Sequence, residues 1–482
     1  MYGETTERKS YMNPNDKSMM VFRDAPVPKA VFSNIIPSVI SMLMVLFYNL
    51  ADTVFIGQTN DALMVTAVSL ATPVFLLFMA IGMLFGIGGT SFISRRLGEG
   101  DYHTAKRTSS FCFWGGISIG VICLLGILIF AEPVARAVGA SDDSVGYTRQ
   151  YLAIVAFGIP FLILSNAFSN IIRAEGHPKT AMTGMIIGNL VNIVLDPVMI
   201  LGFGWNVAGA AIATVLGNVV SAVFYIIHLS SKKSLLSIRP KHFTIKRTVS
   251  MGVFAIGIPA ALNSVLMSTS NIVINKVMAN YGDMAVAGLG VAMKVNTIAI
   301  MLLIGIGIGV QPLLGFCFGA RLRKRYLSIL KFTLIVATIT SVVMTVICYV
   351  FAGPLVEFIL KEPEAYAYGF EFSRVYILSG PVIGLLFVMI NAIQSTGATI
   401  PSLILSLSRQ GLIYYPMLFI FTHFFDTAKM AAMTQPVTDY IAATMAVILF
   451  IFTFRKYFPK SRDLTLQADP SEGIAEDISR DT

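Results

Sequence analysis

This sequence has unusually few charged residues. Only 13% of its 482 residues are Asp, Glu, Lys or Arg, whereas 55% are hydrophobic, and the mean hydropathy is +0.75. A soluble domain carries about a quarter charged residues. The composition therefore excludes an ordinary soluble protein and predicts an all-α polytopic membrane protein.

Cysteine and soluble-enzyme motifs are also scarce. The four cysteines all fall in apolar stretches without the spacing of metal ligands, which is typical of reduced packing residues. The segment "GIGIGVQPLLG" follows no strand and lies in an apolar run, so it does not form a phosphate loop. We therefore expect no enzymatic activity and no cofactor. The polar first 25 residues also predict no cleavable signal peptide.

Apolar runs long enough to cross a bilayer, at about 20 residues each, recur twelve times along the chain. They form two sets of six, which predict a first lobe over 29–231 and a second lobe over 248–454. A tail precedes the first lobe at 1–28, a linker joins the lobes at 232–247, and a second tail follows at 455–482. The predicted spans are 29–57, 63–91, 105–131, 148–172, 179–202, 207–231, 248–279, 284–316, 327–352, 370–396, 400–425 and 428–454.

The basic residues predict how these spans are oriented. Lys and Arg cluster after the second, sixth, eighth and twelfth spans, whereas loops such as "GQTND" and "NYGDM" on the opposite side lack them. Positive residues favour the cytoplasmic side. We therefore expect a multi-pass membrane protein with both termini cytoplasmic. The net charge of +9 is then explained by topology and lipid headgroups, without a nucleic-acid partner.

The second set of spans repeats the first. The segment "GIPFLILSNAFSNIIRAEGHP" matches "SGPVIGLLFVMINAIQSTGATIP", which aligns Pro160 with Pro381, and "LDPVMI" matches "YYPMLF". Six spans per copy place both copies in the same orientation, as in parallel-repeat transporters. The predicted fold is thus twelve transmembrane helices in two six-helix lobes around a central cavity.

Ionisable residues inside predicted spans are costly and usually functional. Asp52 and Asp196 lie about 8 and 9 Å from the outer ends of their helices at a rise of 1.5 Å per residue. Thr214 lies at a similar depth, and Tyr151 begins the fourth span on that side. We therefore expect these four side chains to meet in the outer half of the first lobe.

Helical spacing extends this polar group. Asn189, Asn192 and Asp196 share one helix face, as do Asn49 with Asp52 and Thr214 with Asn218. Such a set would suit a hard monovalent cation, bound through oxygen, or a proton shared between carboxylates. A purely structural role for the aspartates is the plainer alternative.

The second lobe lacks matching carboxylates. Ile274 stands at the repeat position of Asp52 and Tyr415 at that of Asp196, so coupling chemistry is expected in the first lobe alone. Lys294 and Arg409 are basic and could face the cavity, bond to backbone or extend to an interface. Four further polar residues near span ends are expected at the interface: Lys276, His228, His423 and Asp439.

Taken together, the chain resembles the multidrug and toxic compound extrusion (MATE) family. The resemblance rests on "PVPKAVFSNIIPSVISMLMVLFYNLADTVFIGQ", "SRRLGEGDYHTAKR", "RAEGHP" and "NLVNIVLDPVMILG". Resemblance to the DinF/MepA-like branch implies a coupling-ion site for H⁺ or Na⁺, with Tyr151 beside this site. The acids of the NorM-like branch have no counterpart within the seventh or tenth span; Glu371 stands at the predicted start of the tenth. The implied ligands are Asp52, Asn192, Asp196 and Thr214, and the implied first-helix hinge is Pro37.

The resemblance further implies a function. The chain is expected to be a secondary active multidrug exporter that antiports amphipathic, often cationic compounds against H⁺ and/or Na⁺ by alternating access. Its partners would be those small substrates and membrane lipids, and it is expected to be a monomer. The alternative is a lipid or lipid-linked oligosaccharide flippase of the same superfamily, for which Lys294 and Arg409 would line a basic cavity.

Overall fold

The computed structural model describes residues 17–57 and 62–458. The described part is helical and contains no strand. Its α-helices are α1 (Lys17–Arg23), α2 (Val27–Gly57), α3 (Ala62–Gly98), α4 (Tyr102–Ala137), α5 (Val145–Ala174), α6 (Pro178–Pro197), α7 (Asn206–Ser230), α8 (Arg247–Ala279), α9 (Asp283–Gly319), α10 (Arg323–Ile359), α11 (Pro363–Ile377), α12 (Gly380–Thr396), α13 (Thr399–Leu407), α14 (Tyr414–Phe424) and α15 (Ala428–Tyr457). Two π-helical turns also occur, at Val198–Gly202 and Ser408–Leu412.

The predicted count of twelve spans is confirmed. In the described residues eleven segments are long and apolar enough to cross a membrane, and the pair α11 and α12 together supplies one more. Helices are expected in lipid because they satisfy every backbone hydrogen bond internally. Helices α2–α7 form the first lobe and α8–α15 the second.

The tenth span differs from the continuous helix that the sequence predicted over 370–396. It begins earlier, at Pro363, and consists of α11 and α12, which meet at a bend of 50°. Pro381 at the start of α12 has no N–H to donate to the carbonyl of Ile377, so the helical ladder is interrupted there. The eleventh span is likewise divided, because the π turn Ser408–Leu412 separates α13 from α14.

The two lobes pack most closely through glycines. A Cβ on Gly257 of α8 would collide with the carbonyl oxygen of Leu84 on α3, and one on Gly88 would collide with that of Val253. Gly305 and Gly309 of α9 face the α2 backbone in the same way, at Val39 and Ile35. Small residues allow membrane helices to approach this closely. We call this set of inter-lobe approaches the glycine seam.

The glycine seam lies toward one side of the membrane, the side of the inter-lobe linker. Helix α3 ends there at Gly98 and α8 begins there at Arg247, and the seam residues fall in the halves of the helices nearest those ends. Hydrogen bonds extend the seal: Ser91 Oγ donates to the carbonyl of Gln394 at 2.5 Å, and Arg95 donates to that of Thr396 at 3.5 Å. The lobes are therefore closed together on the linker side.

The linker itself is fastened along the first lobe. Ser110 and Trp114 of α4 donate side-chain hydrogen bonds to the carbonyls of Arg239 and Ile238, at 2.9 and 3.0 Å. Phe243 stacks on Phe111 with ring centroids 6.4 Å apart. The linker thus follows α4 before it turns into α8.

The glycine seam yields a testable prediction. Gly257→Ala places a methyl group against a backbone carbonyl that has no room to yield, a kind of overpacking that costs about 1–3 kcal/mol. That cost falls only on the arrangement closed at the linker side, so the lobes should separate there in a larger fraction of molecules. Electron–electron distance measurement between spin labels at positions 103 and 324, in a background without native cysteines, reports the change.

Gly290→Ala is the matched control, because a Cβ there meets nothing within 4 Å. It should leave the distance distribution as in the parent. An unchanged distribution in Gly257→Ala would show that the seam does not set the closed arrangement.

Candidate functional site

The site begins where α6 and α7 pack together. Asn192 and Asp196 lie four residues apart on the buried face of α6, and Asn192 Nδ2 donates to Thr214 Oγ1 of α7 at 3.3 Å. Gly188 and Gly217 let the two helices approach closely, because a Cβ on either would overlap the other helix. The structure therefore brings together three of the four residues that the sequence singled out.

The Asp196 carboxylate has no partner in the described part of the protein. It is completely buried, and both of its oxygens, together with Asn192 Oδ1, accept no hydrogen bond from the described residues. An ionised carboxylate in an apolar interior is costly unless it is compensated. The three free oxygens, with the Thr214 hydroxyl beside them, suit a hard cation, which prefers oxygen ligands, and a proton on Asp196 would serve equally.

Asp52 approaches the same place from α2. Its carboxylate is close enough to that of Asp196 for the two charges to interact, and both also act on the phenol of Tyr151. Tyr151 is buried on α5 and Asp52 is half-buried. Four helices thus contribute to one polar cluster, as the matched depths of these residues predicted.

Two further members escaped the sequence analysis. Tyr48 stands four residues before Asp52 on the same face of α2, and its phenol lies close enough to Thr214 and to both carboxylates to interact with them. Ser165 of α5 donates to Asn218 Oδ1 at 3.1 Å, while Asn218 Nδ2 donates to the carbonyl of Thr214 at 2.9 Å. The four-residue spacing of Tyr48 and Asp52 could have predicted that they share a helix face, whereas nothing in the sequence pairs Ser165 with Asn218.

The other predicted network residues lie at the margin. Asn189 is half-buried one turn before Asn192, and its Nδ2 has no partner among the described residues. Asn49 is exposed on α2. Pro197 ends α6, and the chain continues into the wider π turn Val198–Gly202.

Pro37 lies far from this cluster. It is buried in α2, fifteen positions before Asp52, which corresponds to about 22 Å along a helix. Its neighbours Ile35 and Val39 form part of the glycine seam. Pro37 is thus placed at the contact between the lobes, and its role as a hinge stays a prediction.

The second lobe carries a different polar arrangement. Arg409, in the π turn Ser408–Leu412, forms a buried ion pair with Asp439 of α15, with Nε 2.9 Å from Oδ1. The guanidinium also lies over the Phe387 ring, 5.0 Å from its centroid, and Gln435 donates to the same Asp439 oxygen. Arg409 is therefore not a free cation lining a cavity.

The interfacial location expected for Asp439 is wrong, because this residue is completely buried. The ion pair with Arg409 compensates for its burial. His228 was also expected at the interface, but its side chain is only 12% exposed and pairs with Glu175. Lys276, His423 and Lys294 are exposed.

The second-lobe counterparts of the aspartates take part in packing. Ile274 is buried in an apolar cluster with Tyr414 and Leu418, and Tyr415 packs against the same cluster. Glu371 lies within α11 instead of at the start of its helix, and it forms an exposed ion pair with Lys429 at 3.0 Å.

Comparison with known proteins agrees with this architecture. The MatE family model matches the chain twice, over residues 37–198 and 259–420, which reproduces the internal repeat. Among curated proteins, the multidrug export protein MepA of Staphylococcus aureus (strain MSSA476) is 32% identical over 410 residues, covering 85% of this chain and 90% of that protein. MepA of Staphylococcus saprophyticus is 30% identical over 410 residues, which again cover 85% of this chain and 90% of that protein.

Solved structures show the same fold. A MATE transporter in complex with MaL6 superposes with a TM-score of 0.86 at 23% identity, covering 92% of this chain and 98% of that one. A structure described as the outward-facing conformation of a multidrug resistance MATE transporter gives a TM-score of 0.85 with the same identity and coverage. Two matches to the family model, relatives at 30–32% identity over most of the chain, and the shared fold lead to one conclusion: the chain belongs to the MATE family of multidrug efflux transporters, which are integral membrane proteins.

Proposed function

We propose that the chain is a secondary active antiporter that exports amphipathic, often cationic compounds in exchange for H⁺ and/or Na⁺. The observation that carries this proposal is the buried Asp196 carboxylate, whose oxygens have no partner in the described residues while Asp52 lies nearby. Such a pair of carboxylates would be stabilised by a bound proton or cation. A transported ion would supply that charge in one state and withdraw it in another.

Coupling requires that the ion bind the two arrangements of the lobes with different affinity. In the arrangement described here the lobes are closed on the linker side, which we propose to be cytoplasmic together with both termini. Ions would then reach Asp52 and Asp196 from outside and favour release of substrate. After the lobes rock, loss of the ion inside would restore the charged carboxylates for the next substrate.

The available driving force matches this task. One charge that moves through 100 mV supplies about 2.3 kcal/mol, enough for roughly fifty-fold accumulation. In this proposal the protein works as a monomer in the prokaryotic cytoplasmic membrane, without a cofactor or nucleic acid. Its partners are the exported compounds and lipid.

The first test is Asp196→Asn in vesicles that contain the purified protein and a fluorescent cationic dye. The amide cannot take up a proton or supply the anionic ligand, so efflux driven by an imposed H⁺ or Na⁺ gradient should fall at least tenfold. Dye release is followed under each gradient separately, which also identifies the coupling ion.

Asp143→Asn, an exposed carboxylate in the segment between α4 and α5, makes the same change of charge and should transport normally. Full gradient-driven efflux by Asp196→Asn would leave the carboxylate a structural role and refute its place in coupling.

A second test separates the two coupling ions at Thr214. Thr214→Val keeps the shape of the side chain but removes the hydroxyl oxygen beside Asn192, whereas Thr214→Ser retains it. If Na⁺ binds here, the Na⁺ concentration for half-maximal efflux should rise about tenfold in the valine variant, the effect of losing about 1.4 kcal/mol of binding. The serine variant should stay near the parent. Equal Na⁺ dependence in all three proteins would exclude Thr214 as a Na⁺ ligand.

The flippase alternative required basic residues free to meet an anionic headgroup. Since Arg409 is paired with Asp439, only Lys294 of the two proposed residues is exposed. The structure thus offers less support to that alternative than the sequence did.

The role of the Arg409–Asp439 pair can be tested through stability. Asp439→Leu leaves a buried guanidinium without its partner and should cost about 3–5 kcal/mol, whereas removal of both charges is often neutral. Thermal unfolding in detergent should therefore show a large loss for Asp439→Leu and recovery in Arg409→Met/Asp439→Leu. If the double variant is no more stable than Asp439→Leu, the two charges have a structural role beyond compensating each other.

A further inference from the structure

A second cluster of ionisable side chains lies at the opposite end of the first lobe from Asp196. Glu175 follows α5, His177 precedes α6, and His228 stands near the end of α7. Their potential ligand atoms all lie within 4.8 Å of one another. His177 is nineteen positions from Asp196, about 28 Å along a helix, so this cluster is separate from the coupling site.

Glu175 is the centre of the cluster. It is completely buried, and its Oε1 lies 2.8 Å from His228 Nε2. Its other oxygen accepts hydrogen bonds from the Ser234 hydroxyl at 2.7 Å and from the Leu235 backbone N–H at 3.0 Å. Glu175 thereby fastens the start of the inter-lobe linker to the first lobe.

His177 supplies the observation that this fastening does not explain. Its Nε2 is buried yet has no hydrogen-bond partner among the described residues. Its ring lies edge-on to that of His228, with centroids 5.2 Å apart, and it interacts with the backbone of Lys233. A buried imidazole nitrogen without a partner is unfavourable, and the His177 ring also supplies one of the three clustered ligand atoms.

We propose that Glu175, His177 and His228 bind a divalent transition-metal ion, with Zn²⁺ the best match. Two imidazole nitrogens and one carboxylate oxygen are a ligand set that zinc uses, at bond lengths of about 2.0–2.2 Å in tetrahedral geometry. Ligand atoms in such a site are about 3.3 Å apart, so small rotations of the side chains would close the cluster around the ion. A water molecule would complete the four ligands.

Binding at this cluster would act on the linker. The ion would replace the hydrogen bond between His228 and Glu175 and release any proton that the pair holds. The Glu175 oxygen that bonds Ser234 and Leu235 would keep those bonds, so the metal would hold α5, α6, α7 and the linker at one point. Outer bonds of this kind orient the ligands of metal sites.

The test is Zn²⁺ binding to the full-length chain, purified without a histidine tag and stripped with a chelator. Titration against a chromophoric zinc indicator should give one ion per chain. His177→Gln keeps the bonds of Glu175 to His228 and to the linker, so the fold should persist. Its affinity should fall at least tenfold, since even outer-shell partners commonly contribute that much.

His242→Gln is the matched control, because His242 lies on the same linker but bonds to Ser237 instead. It should bind Zn²⁺ as the parent does. Co²⁺ provides a readout of geometry: the parent should show the intense visible absorption of a tetrahedral site, and His177→Gln should lose it. No stoichiometric Zn²⁺ in the parent, or unchanged binding in His177→Gln, would overturn the proposal.

Discussion

An ionised carboxylate buried in an apolar interior is costly unless it is compensated, and Asp196 of the first lobe is such a group. Asp196 is completely buried and receives no hydrogen bond from the described residues. The surrounding groups supply oxygens instead of positive charge: a second carboxylate at Asp52, the Asn192 amide and the Thr214 hydroxyl. The described part of the first lobe therefore leaves the charge of an ionised Asp196 without compensation by a positive group.

The second lobe meets the same requirement by the opposite means. Its buried carboxylate, Asp439, is paired internally with Arg409 and needs no external ion. Where the repeat would place the two aspartates of the first lobe, Ile274 and Tyr415 pack against apolar side chains. The first lobe thus holds a buried carboxylate without a partner among the described residues, whereas the buried carboxylate of the second lobe is compensated by an ion pair.

Local information in the sequence was enough to predict the spans and the core of the site. Hydropathy identified twelve spans because the bilayer selects on length and polarity alone, and helical spacing placed Asn192 with Asp196.

Contacts between distant segments could not be predicted from the sequence. Arg409 meets Asp439 only because a π turn and two helices bring them together, and Ser165 meets Asn218 only because α5 packs on α7. The bend between α11 and α12 was missed because hydropathy does not register Pro381 within an apolar run. The pairing of Glu175 with His228, 53 residues later, was missed for the same reason as the other long-range contacts.

The fastening of the linker along α4 sets a limit on how the lobes can move. While the backbone bonds to Ile238 and Arg239 hold, only residues 240–246 are free to extend before α8 begins. Seven residues reach at most about 24 Å when fully extended. The start of α8 therefore stays within about 24 Å of that point on α4, which limits how far the two lobes can separate beside α4. If the lobes open on the linker side while these bonds hold, the wider separation lies on the side away from α4.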